Sequence, residues 1–299
     1  MKEINLRSYG KINLSLDVTG LRQDGYHQIE TVMQRISLYD RVQIIWEEGV
    51  GDDFTIEVKT SKPYLPTDER NLAYKAAKLM TETFANRVDR GRIKIFIAKS
   101  IPVSAGLAGG SGNCAAVLIG LNKLWNLHLN TRELCRLGES MGSDIPFCVL
   151  TQNSRYDCAL ATGRGEVLKP LRKGMRKYIV LAKPAFGVST KEVFKNIDGY
   201  DIKKRPDSKA LIRGLAEREY DSVYCNMMNV LELYTLDHYE PVGRLKNLFI
   251  EKTDAKKVLM SGSGPTVFGI YDTEKQAKIA CEAIRNLKYE AYWASTTGR

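Results

Sequence analysis

From residue 4 to residue 18 apolar and polar positions alternate in phase along the chain. Ile4, Leu6, Ile12, Leu14, Leu16 and Val18 fall on one face of an extended strand or strand pair. Asn5, Arg7, Tyr9, Lys11, Asn13, Ser15 and Asp17 fall on the other. The Asp24-Gly25 pair marks a turn, after which residues 29–36 and 40–46 read as two further strands. Leu72, Ala76, Leu79, Met80 and Thr83 recur at helical spacing and predict a helix over 70–84. Residues 93–98 read as a strand and 131–141 as a helix with Thr131 at its N-cap.

Between these two elements Cys114, Val117, Leu118, Leu121, Leu124 and Trp125 give a helix with one apolar face. The second half begins near 159–167; strand patterns then occupy 178–182, 257–260 and 266–271, and helical ones 189–194, 209–219, 242–251 and 274–287. Strands and helices mix without regular strand–helix–strand alternation, which predicts the α+β class. The expected organisation is two-lobed, with an ATP-binding domain over 1–158 and an acceptor-binding domain over 159–299 on the reading developed below.

The 299 residues, 43% of them hydrophobic, suffice for a large buried core and argue against disorder. The uncharged run 100–122 is broken by glycines, polar residues and a proline, so no membrane span is expected. Residues 1–7 carry charge throughout and lack the apolar stretch of a signal peptide. The six cysteines are scattered, with no C-x-x-C pair, and predict reduced thiols in a cytoplasmic, metal-free chain. A formal charge of +10 suits an enzyme whose substrates are polyanions as well as it suits nucleic acid. The basic groups 169–177 and 203–205 come without a nucleic-acid motif, so the expected partner is a small molecule.

Gly106, Gly109, Gly110 and Gly112 crowd into 102–116 and run straight into the apolar helix. Glycines are entropically costly to order, and at a helix start the usual return is close approach of the backbone to an anion. There the first-turn N–H groups and the positive end of the dipole favour phosphate. No Gly-Lys-Ser or Gly-Lys-Thr follows, so the Walker pattern is absent. The match of residues 110–115 to a dinucleotide fingerprint lacks the strand that should immediately precede it. Lys11 and Asn13, two residues apart on one strand face, can point the same way. Asp144, past one helix and before an expected apolar strand, can orient or deprotonate a hydroxyl. A second glycine cluster, 261–265, precedes a strand.

Together, Gly10-Lys11-Ile12-Asn13-Leu14, Pro102 to Ala116 and Met260-Ser261-Gly262-Ser263-Gly264-Pro265 resemble the GHMP kinase family over nearly the whole chain. The resemblance implies MgATP as phosphoryl donor. Gly25-Tyr26-His27 and 142–147 further resemble members whose acceptor is the 2-hydroxyl of a cytidine-diphosphate-linked methylerythritol, in non-mevalonate isoprenoid biosynthesis. It also implies that Asp144 is the catalytic base and Lys11 the cation that stabilises charge in transfer. ATP would be held by Pro102, Val103, Ser104, Ala105, Gly106, Leu107, Ala108, Gly109, Gly110, Ser111 and Gly112, with Asn71 and Lys99 near its base. Ser111 would lie near the metal-bound oxygens, and the sequence names no direct ligand of the metal. Asn13, Tyr26 and His27 would bind the acceptor, with Phe194 on the other face of its cytosine.

Ser104 and Ala108 stand where family members frequently carry glycine, and Gly112 replaces a frequent serine. Two other readings remain open at this level. One is a family member acting on a small alcohol such as mevalonate or homoserine. The other is a basic, non-catalytic nucleic-acid-binding module. The residues leave monomer and homodimer equally open.

Overall fold

A computed structural model describes residues 1–51 and 53–296. Two long strands open the chain, β1 (Lys2–Leu21) and β2 (His27–Glu48), which pair with each other across the turn at Asp24-Gly25. The sequence predicts two strands where β2 is one, because no glycine or proline interrupts 37–39. Contacts divide the chain into two compact units, each gathered from separate stretches. The first holds Met1–Gly10, Tyr39–Pro102 and Ala108–Arg155; the second holds Lys11–Leu38, Val103–Leu107 and Tyr156–Arg299.

In the first unit β3 (Thr55–Thr60) and α1 (Leu72–Phe84) precede β4 (Gly91–Ala98), which pairs in parallel with β3 and antiparallel with the later part of β2. Ile93, Ile95 and Ile97 of β4 enter the core, where Trp46 and Trp125 meet edge to face at 5.5 Å. The helices α2 (Gly109–Leu124), α3 (Thr131–Glu139) and α4 (Ile145–Asn153) complete this unit. All three correct the sequence reading. α2 buries nearly all of its circumference, because Ala115, Ala116, Ile119 and Gly120 fill the side opposite the expected apolar face. Residues 145–150, expected as a strand, form α4; Pro146 starts it, and a short apolar run does not distinguish a buried helix from a buried strand. Thr131 is the first residue of α3 rather than its cap. Asn130 caps the helix and Glu133 closes a capping box.

The second unit continues with the hairpin β5 (Cys158–Thr162) and β6 (Val167–Pro170), which extends the earlier part of β2. It then runs through β7 (Tyr178–Lys183), α5 (Thr190–Ile197), α6 (Ser208–Glu217), α7 (Tyr220–Asn226) and α8 (Glu232–His238). The chain goes on through α9 (Glu240–Lys252), β8 (Lys257–Met260), β9 (Val267–Tyr271), α10 (Glu274–Asn286) and β10 (Glu290–Ser295). The antiparallel sheet β10-β7-β9-β8 packs against α9 and α10 around Val180, Phe249, Tyr271 and Ile284. Gln34, wholly buried on β2, donates to the Asp157 and Thr296 carbonyls at 3.1 and 2.6 Å and accepts from Met175 N–H at 2.9 Å.

Candidate functional site

Within the first unit, α2 begins without a side-chain cap: Ala108 stands at the N-cap in left-handed conformation, φ +55°. The first intrahelical bond runs from Gly112 N–H to the Ala108 carbonyl at 2.8 Å, which leaves the N–H groups of Gly109, Gly110 and Ser111 ahead of it. A Cβ at Gly110 would meet only Leu72 Cδ1, at 3.5 Å, so the space over this turn is open. A Cβ at Gly112 would come within 2.6 Å of Ser8 Oγ, so the missing serine at 112 leaves room for a buried hydroxyl from β1.

Asp40, a buried residue that the sequence reading passed over, anchors the segment entering this turn. Its carboxylate accepts from Ser100 and Ile101 N–H at 2.7 and 2.8 Å and from Lys99 Nζ at 2.5 Å. The Lys99 ammonium lies 3.1 Å from where a Gly109 Cβ would stand, at the start of α2. Asn71 is the N-cap of α1; it accepts from Ala73 N–H at 2.9 Å and donates to the Pro66 carbonyl at 2.7 Å. Both ends of its amide therefore serve the local fold.

Residues 103–107 belong to the second unit and lie against its second glycine loop. A Cβ at Gly106, where φ is +68°, would stand 2.4 Å from the Ser261 carbonyl oxygen, and Ser261 Oγ donates to the Gly106 carbonyl at 3.0 Å. Asn229 holds the glycine loop from behind, donating to the Met260 and Gly262 carbonyls at 2.9 and 2.7 Å. Ser104 is exposed and left-handed at φ +51°. Its left-handed strain of about 1–2 kcal/mol exceeds the ~0.5–1 kcal/mol of extra chain entropy that glycine loses on folding. Ser104→Gly is therefore expected to stabilise the protein by about 0.5–1 kcal/mol. Denaturant midpoints at unchanged slope measure this, and an unchanged or lower midpoint would refute the strain.

Lys11 and Asn13 come together as the sequence predicts. Lys11 is 4% exposed; its Nζ donates to Asn13 Oδ1 at 2.8 Å, and its backbone N–H donates to the Leu107 carbonyl at 3.0 Å. Asn13 Nδ2 donates to Thr31 Oγ1 at 2.8 Å, and Thr31 in turn donates to the Ser15 carbonyl at 2.5 Å. A buried ammonium must be hydrogen-bonded to persist. Asn13 and Thr31 thus hold Lys11, a positioning role that the alternating pattern alone does not reveal. The polar face of β1 is buried as thoroughly as the apolar one from Lys11 to Val18.

Asp144 occupies the N-cap position of α4, half-buried, and makes no capping bond to that helix. Tyr26 is 57% exposed beyond a turn in which Arg22 N–H donates to its carbonyl at 2.7 Å. The Arg22 guanidinium donates to Asp24 and holds that carboxyl below its ordinary range, and the Arg164 guanidinium lies 5.1 Å from the Tyr26 ring centroid. The rings of His27 and Phe194 are in direct contact, 5.4 Å between centroids and tilted by 37°, leaving no space for a base between them. His27 Nε2 stands 3.0 Å from both Asp198 carboxylate oxygens. Thr190 and Ser263 share a 2.8 Å hydroxyl–hydroxyl bond, tying the start of α5, which carries Phe194, to the second glycine loop.

Comparison with known proteins adds to this geometry. Residues 71–152 match the GHMP kinases N terminal domain and residues 209–290 the GHMP kinases C terminal domain. The chain is 42% identical to a 4-diphosphocytidyl-2-C-methyl-D-erythritol kinase of Acetivibrio thermocellus, covering 99% of this chain and 100% of that one. It is 44% identical to a protein of the same name from Alkaliphilus oremlandii, covering 99% and 97%. A crystal structure of 4-(cytidine 5'-diphospho)-2C-methyl-D-erythritol kinase superposes with a TM-score of 0.79 at 29% identity, covering 98% of both chains. A homoserine kinase from Cytophaga hutchinsonii shares the fold, with a TM-score of 0.73 at 17% identity, covering 100% of this chain and 97% of that one.

Proposed function

The chain belongs to the GHMP kinase family, and from that premise we propose that it transfers the terminal phosphoryl group of ATP to the 2-hydroxyl of 4-diphosphocytidyl-2-C-methyl-D-erythritol. The observation that carries this acceptor is full-length identity above 40% to relatives named for it, whereas the homoserine kinase shares only the fold. An intact glycine loop and a buried, hydrogen-bonded Lys11 speak for an enzyme over a basic binding module. A coupled kinase assay tests it: turnover with the cytidine-linked acceptor and none with mevalonate or homoserine is expected, and the reverse preference would overturn it.

Phosphoryl transfer asks a protein mainly for positioning and for charge stabilisation. In this reading the N–H groups of Gly109, Gly110 and Ser111 receive the phosphates, and residues 102–108 bring the backbone close to them. Asp144 aligns the acceptor hydroxyl and takes its proton. Lys11, held by Asn13 and Thr31, meets the negative charge that develops in transfer. Among the described residues no three His, Cys, Asp or Glu side chains gather as a metal cage. Mg2+ would be coordinated chiefly by nucleotide phosphates and water, with the Ser111 hydroxyl as the side-chain oxygen at hand. Bound there, the cation would neutralise charge on the phosphates.

The proposed division of labour keeps ATP recognition in residues 1–158 and assigns acceptor recognition to 159–299 together with Asn13, Tyr26 and His27. Among the described residues no helix is long and apolar enough to cross a membrane. Free cysteines suit the reducing cytoplasm, where the enzyme would act as a monomer or homodimer without nucleic acid.

With His27 backed by Phe194, cytosine stacking falls to the exposed ring of Tyr26. Stacking on an aromatic side chain is worth roughly 1–3 kcal/mol, so Tyr26→Ala is expected to weaken the acceptor by about five- to 150-fold. ATP affinity should hardly change. Calorimetric titration of each ligand decides it, and an undiminished acceptor affinity would remove Tyr26 from the site.

A further inference from the structure

The basic stretch 203–205 has no part in the reaction above, yet it borders a cavity of about 190 Å³ in the second unit. Lys204 and Arg205 line it together with Cys225 of α7, Glu232 of α8, Lys246 of α9 and Lys257 of β8. Four cations thus face one carboxylate, and that carboxylate is already engaged. Glu232 Oε1 accepts from Met260 N–H at 2.8 Å and Oε2 from Lys246 Nζ at 2.6 Å. Arg205 is held by Asp17 Oδ1 at 2.6 Å and the Val18 carbonyl at 2.8 Å. Lys204 and Lys257 make no ion pair with any described carboxylate. Lys257 is half-buried, and burial, then Lys246 and more weakly Lys204, push its ammonium below the ordinary lysine value. Glu232 offsets part of this repulsion, and an anion seated among the four cations would relieve more of it.

We propose that this cavity binds a small polyanion of the phosphate class, with Lys204 and Lys257 as the charges that capture it. Inorganic phosphate, diphosphate and a phosphate ester share the chemistry that the cluster recognises: several oxygens, more than one negative charge, and a size within the cavity. Arg205 and Lys246, fixed by Asp17 and Glu232, supply oriented N–H donors at its walls.

Cys225 reports on the cavity locally, because it lines the pocket and is exposed while the other five cysteines are buried or partly covered. The rate at which iodoacetamide alkylates Cys225 is read by peptide mass spectrometry, with the ATP site saturated by a non-hydrolysable analogue. With diphosphate at about ten times its dissociation constant, alkylation is expected to slow roughly tenfold, as mass action gives for a pocket closed by its occupant. In a Lys204→Gln/Lys257→Gln double variant the same diphosphate concentration should slow it little, while kinase activity stays at its wild-type value. Parallel arms with inorganic phosphate and cytidine 5'-monophosphate separate a free anion from a phosphate ester as the better occupant. The proposal is overturned if no arm protects Cys225, if the double variant is protected equally, or if sodium chloride at matched ionic strength protects as well.

Discussion

Asp144→Asn is expected to lower kcat by about two to four powers of ten, the range that a positioned general base supplies. The substitution keeps shape and removes only the proton acceptor. The position suits the substitution, since asparagine is as favoured as aspartate at the N-cap of α4, where Asp144 stands. A loss of turnover therefore reads as lost chemistry. ATP affinity should be close to wild type by calorimetry, and single-turnover rates should fall in parallel with kcat. Near-normal turnover by a folded Asp144→Asn protein would take this carboxylate out of the mechanism.

Gly110→Val addresses the other half of the reaction. Gly110 is exposed in the first turn of α2, and a Cβ there meets Leu72 Cδ1 at an ordinary 3.5 Å, so the ligand-free fold accommodates it. A bound phosphate does not have that latitude, because it must reach the backbone N–H groups that the new methyls cover. Losing two charge-assisted hydrogen bonds at about 1.5–3 kcal/mol each weakens ATP by roughly 10²- to 10⁴-fold. Unchanged denaturant stability and retained binding of the cytidine-bearing acceptor separate this from unfolding. ATP bound at wild-type affinity by the folded variant would show that the turn does not hold phosphate.

The parts of the site that the sequence reveals are those whose residue type is costly without a function. Gly109 and Gly110 stand out as the proposed phosphate turn because glycine is costly to order at a helix start, whereas Gly106 answers to its left-handed backbone and the nearby Ser261 carbonyl. Lys11 and Asn13 share a strand face by periodicity alone, and their 2.8 Å bond follows. Thr31, Asp40 and Asn229 escape notice because each acts on a partner distant in sequence. Asp40, for instance, fixes Ser100 and Ile101 some sixty residues away. Asp144 is placed correctly at a helix boundary, but residues 145–150 are apolar throughout and give no period to tell helix from strand. β3, α7, α8 and β10 are short or weakly patterned, and tertiary packing decides them.

The bonds made by Gln34 set an order of events on the ribosome. Its amide waits for the Thr296 carbonyl, 262 residues later, while the first unit has all its segments once Arg155 has emerged. At about 5–20 residues per second that gap lasts roughly 7–28 s. Through that interval 11–38 and 103–107, Lys11 among them, have been made while much of the second unit has not. The second unit thus closes last, when Thr296 reaches Gln34. A nascent chain stalled before β10 would leave the Gln34 amide without its Thr296 acceptor and β7 without one neighbouring strand, an open edge of the kind that chaperones cover.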